Sequence, residues 1–465
     1  MSINISLDTL YNVLRSNISK GSPEFTRIPA SYIIFKDGDI VKAKNGRTGE
    51  VTSGDALTLI QSAIDYVATT LGGGVVFIDA GEYDLGGSAI DIANISNITI
   101  AGAGIDRTVL KNGGIHKAQE VETNDVTIRD MTIDVNGVSG IYGININRYS
   151  TDFVIERVKI KNTYDTFLLY WGGARNLVVR DCIFHRDMAS VENADMAAGS
   201  QDINDPLNRT CFFIRNVFIQ EQGGGGLTTG STGNLVFEGN VFINKTSGQS
   251  AERAISIEAL TVKDKKVVLR DNIVYSDNNN SGATDVYIAA VGDYGIEDVV
   301  VDGLIITNGA LRISNADRVL LNNIYVEGSY GDGIHLTGTC GVIKASNVIV
   351  KNSDNIGFIA KTGKLFLNNI TVEGSGMHGI DIYADAQAIM TNVHIINNSQ
   401  GGAGTYSGIV LRGQNNIVAD SLFMEDYGNQ KSAIEEKSGA DYNIIINNEI
   451  LGSYASSPRI RVGSN

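Results

Sequence analysis

Arg312, His335 and Asp381 each stand at the middle of a recurring four-residue segment: Ala310-Leu-Arg-Ile313, Gly333-Ile-His-Leu336 and Gly379-Ile-Asp-Ile382. Other copies are Gly143-Ile-Asn-Ile146, Ala254-Ile-Ser-Ile257 and Gly408-Ile-Val-Leu411. Side chains alternate along a strand, so the middle residue faces away from the core. The outward row is therefore expected to run Asn145, Leu168, Thr228, Ser256, Tyr287, Arg312, His335, Ile359, Asp381, Val410 and Glu435. Arg312 and His335 fall on adjacent repeats and Asp381 two beyond His335, which puts the three within about 15 Å on one sheet face. Tyr330, Asp332, His378 and Tyr383 flank them. An acid/base pair beside a guanidinium suits proton abstraction next to a uronate carboxylate: a base takes the proton at carbon five and Arg312 stabilises the enolate-like charge. The plain alternative is a solvated face, since an outward position meeting water is polar in any case.

A second set surrounds the longest interruption of the repeat, from His185 to Arg209, which carries Asp187, Glu192, Asp195, Asp202 and Asp205. Beside it lies the only tryptophan, in Tyr170-Trp171-Gly172-Gly173. Flat rings suit sugar faces, so Tyr170 and Trp171, with Tyr383 and Arg148, are the candidate substrate contacts. The acids suit a hydrolase pair or a calcium site, with Glu192, Asp202 and Asp205 as metal candidates and calcium the one cofactor suggested. They equally suit a solvated acidic loop covering an aromatic pair. Cys182, Cys211 and Cys340 are odd in number and widely spaced in apolar runs, and read as small core residues.

Such rows exist only if the chain repeats. From about residue 95 one unit recurs, apolar-x-apolar, a short turn, apolar-x-apolar, then a variable loop, as in Val126-Thr-Ile-Arg-Asp-Met-Thr-Ile133 and Leu365-Phe-Leu-Asn-Asn-Ile-Thr-Val372. The residue before the second run is Asn at 216, 240, 272, 323, 347, 369, 392 and 448. Asn tolerates the left-handed conformation of a sharp turn, and stacked coils would join these amides in a ladder. A chain of 465 residues with 53 Gly and 4 Pro fits a core that lengthens with the chain. Ahead of the repeat, residues 32–43 read as a hairpin about an Asp-Gly turn, and Asp55 caps an amphipathic helix whose apolar face is Ala56, Leu57, Ile60, Ala63, Ile64 and Val67. The expected organisation is an amphipathic segment and linker at 1–30 that could be a tag or an anchor, hairpin and capping helix at 31–94, and a repeat domain at 95–465. The net charge of −15 excludes a nucleic-acid partner, no window is apolar enough for a membrane span, and the amino terminus lacks a secretory signal pattern.

The run from Asp55 to Asp65, followed by Gly72-Gly-Gly-Val-Val-Phe-Ile-Asp-Ala-Gly-Glu-Tyr83, resembles the capping segment of the pectin-lyase-like superfamily. With the coils behind it the resemblance covers residues 55 to about 450. It implies an all-β, right-handed, single-stranded parallel β-helix of about 13 coils and three sheets with an N-terminal capping helix. The superfamily contains pectate and alginate lyases, polygalacturonases, mannuronan epimerases, phage tailspikes and catalytically silent adhesins. Tyr330-Gly-Asp332-Gly-Ile-His335 and Met377-His378-Gly-Ile-Asp381 resemble the Tyr-Gly-x-Asp-Pro-His type of segment in the epimerases, without its proline and with the order changed. The implied partner is a polysaccharide or glycan, met outside the cell, at a cell surface or on a virion, by a chain that can be a homo-oligomer. Two readings stay open: a polysaccharide-active enzyme, lyase or epimerase before hydrolase, or a non-catalytic fibre, viral attachment protein or surface adhesin.

Overall fold

The computed structural model describes residues 30–117, 119, 121–146, 149–164, 166–186, 196–199, 210–221, 225–230, 233–245, 253–259, 264–276, 286–290, 295–457 and 459–461. The chain forms two compact units, residues 1–224 and 225–465. Both are parallel β-solenoid, with about 13 turns in all. No helix among the described residues is long and apolar enough to cross a membrane.

The first unit opens with the antiparallel strands Tyr32–Asp37, Ile40–Asn45 and Val51–Gly54. The helix Ala56–Thr69 follows, started by Asp55, whose carboxylate accepts the Thr58 N–H at 2.8 Å. Its buried face is Ala56, Leu59, Ile60, Ala63, Ile64 and Val67, so Leu59 rather than Leu57 completes the stripe. The helix lies against the strands Gly74–Ile78 and Gly81–Asp91. Gln61 fixes it there, donating to the Asp91 carbonyl at 3.0 Å and accepting the Asp91 N–H at 2.8 Å.

Beyond the helix each strand pairs in parallel with its equivalent one turn later, so inward residues stack in columns. Val76, Ile100, Ile128, Ile155, Val179 and Phe213 form one such column in the first unit. Phe237, Leu269, Val301, Leu321, Ala345, Leu367, Met390 and Val418 form its counterpart in the second. All are buried. Cys182, Cys211 and Cys340 are free and buried, as their apolar settings suggest.

The asparagines divide into two columns rather than one. Asn323, Asn347, Asn369 and Asn392 hold the left-handed turn, with φ from 52° to 55°, and each amide donates to the preceding one at 3.1, 2.8 and 3.2 Å. At 216, 240, 272 and 448 the left-handed residue is the one before, Arg215, Gly239, Asp271 or Asn447. There the Asn points inward, where Ile324 sits in its own coil, and caps backbone groups: Asn272 accepts from the Asn240 N–H and donates to the Phe237 carbonyl, both at 3.0 Å. The apolar run hides this one-residue offset, because Val217, Phe218 and Ile219 are buried on both faces and show no alternation.

Candidate functional site

The row expected to face outward is a registered column in the second unit, but Ser256, Ile359, Asp381, Val410 and Glu435 in it are buried rather than exposed. Thr228, Ser256, Tyr287, Arg312, His335, Ile359, Asp381, Val410 and Glu435 are successive Cα partners across parallel strands. Arg312 and His335 are therefore one strand apart, and Asp381 lies two strands beyond His335 with Ile359 between. In the first unit the column reads Asp91, His116, Asn145, Tyr170 and Ala198. Leu168 does not belong to it: it is fully buried, and Tyr170 takes the outward place. The strand Leu169–Trp171 starts two residues later than an outward Leu168 would require.

His335 and Arg312 are half-buried. His335 Nδ1 lies 3.1 Å from the Asp332 carboxylate, whose other oxygen accepts the Ile356 N–H from the next coil at 3.3 Å. A carboxylate offers only acceptors, so this contact favours the proton on Nδ1 and leaves Nε2 to accept. His335 Nε2 and Arg312 Nε are both buried and have no hydrogen-bond partner among the described residues, so a substrate must uncover the imidazole nitrogen to reach it. Arg312 stands 5.8 Å from the Tyr287 ring centroid, and the Arg253 guanidinium lies 3.8 Å from the same ring. Arg253 in turn donates to Ser256 and Glu258, at 2.9 and 2.6 Å. Tyr330 is half-buried in the turn that leads to Asp332.

Asp381 differs from His335. Its side chain is 1% exposed and receives two parallel bonds from Arg412, at 2.8 and 2.7 Å. Arg412 also stands over Tyr383, 4.9 Å from the centroid, with Lys361 at 5.5 Å. His378 is buried: its Nδ1 accepts the Ser407 N–H at 2.9 Å, and burial pushes its imidazole below the ordinary histidine value. The Ser407 hydroxyl donates to Glu435 at 2.8 Å, and Lys431 and Lys437 bind the other oxygen of that carboxylate at 2.8 and 2.5 Å. Burial alone would raise the Glu435 carboxyl, but these donors hold it down to about 2. Glu435 is a member of the column that the search for an acid/base set passed over, because its lysine partners lie within four residues in sequence and read as surface charge.

Of the aromatic pair, only Tyr170 faces out. Trp171 is 1% exposed, packs on Phe213 at 4.9 Å between centroids, and lies so close to Gly199 that a Cβ there would fall 2.2 Å from the indole. A substrate contact through Trp171 is thus ruled out by strand alternation, since Tyr170 and Trp171 cannot both face outward. Arg148, Glu192, Asp202 and Asp205, with Asp187 and Asp195, lie outside the described residues. Among the described residues no three His, Cys, Asp or Glu side chains converge as a metal site.

No family model matches the sequence, and no curated protein matches it. Solved structures do. The catalytic unit of a thermostable GH87 α-1,3-glucanase from Streptomyces thermodiastaticus superposes with a TM-score of 0.50 at 16% identity, covering 84% of this chain and 67% of that one. The surface adhesin PfbA of Streptococcus pneumoniae gives 0.48 at 16% identity, over 74% of this chain and 90% of that one. The tailspike of Escherichia coli bacteriophage HK620, solved with a pentasaccharide, gives 0.43 at 13% identity, over 84% and 75%. At these identities the likeness shows the fold alone, a right-handed parallel β-helix.

Proposed function

We propose that this chain engages an acidic polysaccharide along the outward column of its second unit and moves a proton there, as a lyase or an epimerase does. The observation that carries the reading is the pairing of Arg312 with His335 on adjacent strands, with Asp332 holding Nδ1 of the imidazole. In this reading Arg312 meets the uronate carboxylate. His335 Nε2 takes the proton from carbon five, the electron pair passes into the carboxylate as an enolate-like dianion, and the guanidinium stabilises it. A proton from solvent delivered to the opposite face of carbon five gives the epimer, while departure of the carbon-four oxygen with the proton that His335 hands on to it gives the unsaturated sugar. Asp381 supplies no base, because Arg412 holds it as a buried ion pair; Tyr330 and Tyr383 border the column as sugar contacts.

A second reading, a non-catalytic glycan-binding fibre or adhesin, is favoured by that same sequestration of Asp381, which leaves one basic group where many proton-transfer sites use two. The test is turnover and binding on alginate, polygalacturonate and α-1,3-glucan for wild type, Arg312→Ala and His335→Gln. The enzyme reading expects unsaturated or epimerised product on a polyuronate and its loss in both variants. Binding that falls in Arg312→Ala, with no product from wild type, leaves the fibre.

A further inference from the structure

The first unit carries an aromatic cluster on its own outward column. His116, Asn145 and Tyr170 are successive Cα partners, and Tyr142 and Phe167 stand three residues ahead of Asn145 and Tyr170 in neighbouring coils. Ring centroids are 5.6 Å apart for His116 and Tyr142, 5.9 Å for Tyr142 and Tyr170, and 5.8 Å for Phe167 and Tyr170, the last pair stacked at 18°. The four residues are half-buried, so the cluster is at the surface rather than in the core. His116 is fixed by its Nε2, which donates to the Tyr142 carbonyl at 2.9 Å, and burial pushes its imidazole below the ordinary histidine value, so the cluster is uncharged at neutral pH. Between the rings, the Asn145 side-chain oxygen is buried without a hydrogen-bond partner among the described residues.

These features fit a saccharide better than an apolar partner. A core-like protein contact would want apolar neighbours, whereas here an amide oxygen that lacks a donor sits among flat rings. Sugar rings offer C–H faces to stack on aromatics and hydroxyls to donate. None of these side chains is cationic, and Asp91 is the Cα partner of His116. Among the described residues no cationic side chain belongs to this cluster, so it offers a carboxylate- or sulfate-bearing glycan no ion pair. We infer that His116, Tyr142, Asn145, Phe167 and Tyr170 form a binding subsite for a neutral glycan, with Tyr142, Phe167 and Tyr170 as the stacking platform and the Asn145 amide accepting from a sugar hydroxyl. It stands apart from the second unit's column in both residues and ligand charge, and does not rest on the proton-transfer reading.

The test is affinity electrophoresis of the full chain through gels containing dextran, laminarin or hydroxyethylcellulose. Wild type is retarded in at least one; Tyr142→Ala and Phe167→Ala lose roughly tenfold in apparent affinity, the worth of one stacking contact. Phe167→Tyr keeps the flat face and keeps the retardation. Thermal melts run alongside, and if Phe167→Ala melts early, Phe167→Leu replaces it, keeping apolar bulk while losing the face. Wild type unretarded in all three gels overturns the inference, as does undiminished retardation of Tyr142→Ala and of the folded Phe167 variant.

Discussion

At the scale of single residues, the second unit separates the half-buried Arg312 and His335, whose ring and guanidinium nitrogens lack partners, from charges that are buried and matched. Asp381 is inside and depends on Arg412, so Arg412→Ala should destabilise by about 3–5 kcal/mol, the cost of leaving a buried carboxylate without its partner. Denaturant unfolding measures it, and the double variant Asp381→Asn/Arg412→Gln should recover part of the loss. Glu435 gives a pH dependence with a definite sign. Its carboxyl is held near 2, below an ordinary value of 4.5, so the stability it contributes is full above about pH 4.5 and is lost as pH falls toward 2. The size is about 3 kcal/mol. Unfolding free energies taken across that range should show the fall, and replacing Lys431 and Lys437 together by Met should flatten it. A profile for wild type that is level from pH 5 to 2 would contradict the assigned network.

At the scale of elements, the two asparagine columns make opposite demands. Asn369 is needed for its left-handed backbone as well as its ladder bond, so Asn369→Val should cost about 1–3 kcal/mol while Asn369→Gly, which adopts that φ freely, costs much less. Asn272 has no such backbone demand and is needed for its amide, so Asn272→Gly should be no milder than Asn272→Val. Thermal melts of the four variants decide it. The repeat, the inward columns and the register of Arg312 with His335 and Asp381 were all legible in the sequence, because two-residue alternation in a stack of similar coils leaves little freedom. What was not legible was position within strands buried on both faces: the offset of Asn216, Asn240 and Asn272, and the exchange of Leu168 for Tyr170. Trp171 follows from that exchange. Trp171→Ala should cost about 3–5 kcal/mol through the cavity it leaves, and should act on stability rather than on glycan affinity.

For the whole molecule, the fold alone is silent on chemistry, since function lies in the side chains a fold presents rather than in the fold. The partnership of Arg412 with Asp381 was not read from the sequence, because Arg412 lies just past the strand Ile409–Leu411, two residues beyond Val410, the Cα partner of Asp381, and outside the repeated four-residue segment. It removes one of the three residues that spacing had brought together and leaves Arg312 with the His335–Asp332 pair. The central claim is that this pair moves a proton at the carbon beside a uronate carboxylate; deuterium gained from solvent at carbon five reads that step in an epimer, and loss of the carbon-five hydrogen to a double bond between carbons four and five reads it in an unsaturated sugar. Alginate and polygalacturonate would be incubated with the protein in deuterium oxide, and product and recovered polymer followed by NMR for deuterium at carbon five and for the olefinic hydrogen at carbon four. Wild type should give one of these two signals, and His335→Gln and Arg312→Ala should give neither, while still melting like wild type. Absence of both signals in both polymers with wild type, or either signal undiminished in His335→Gln, would contradict the account.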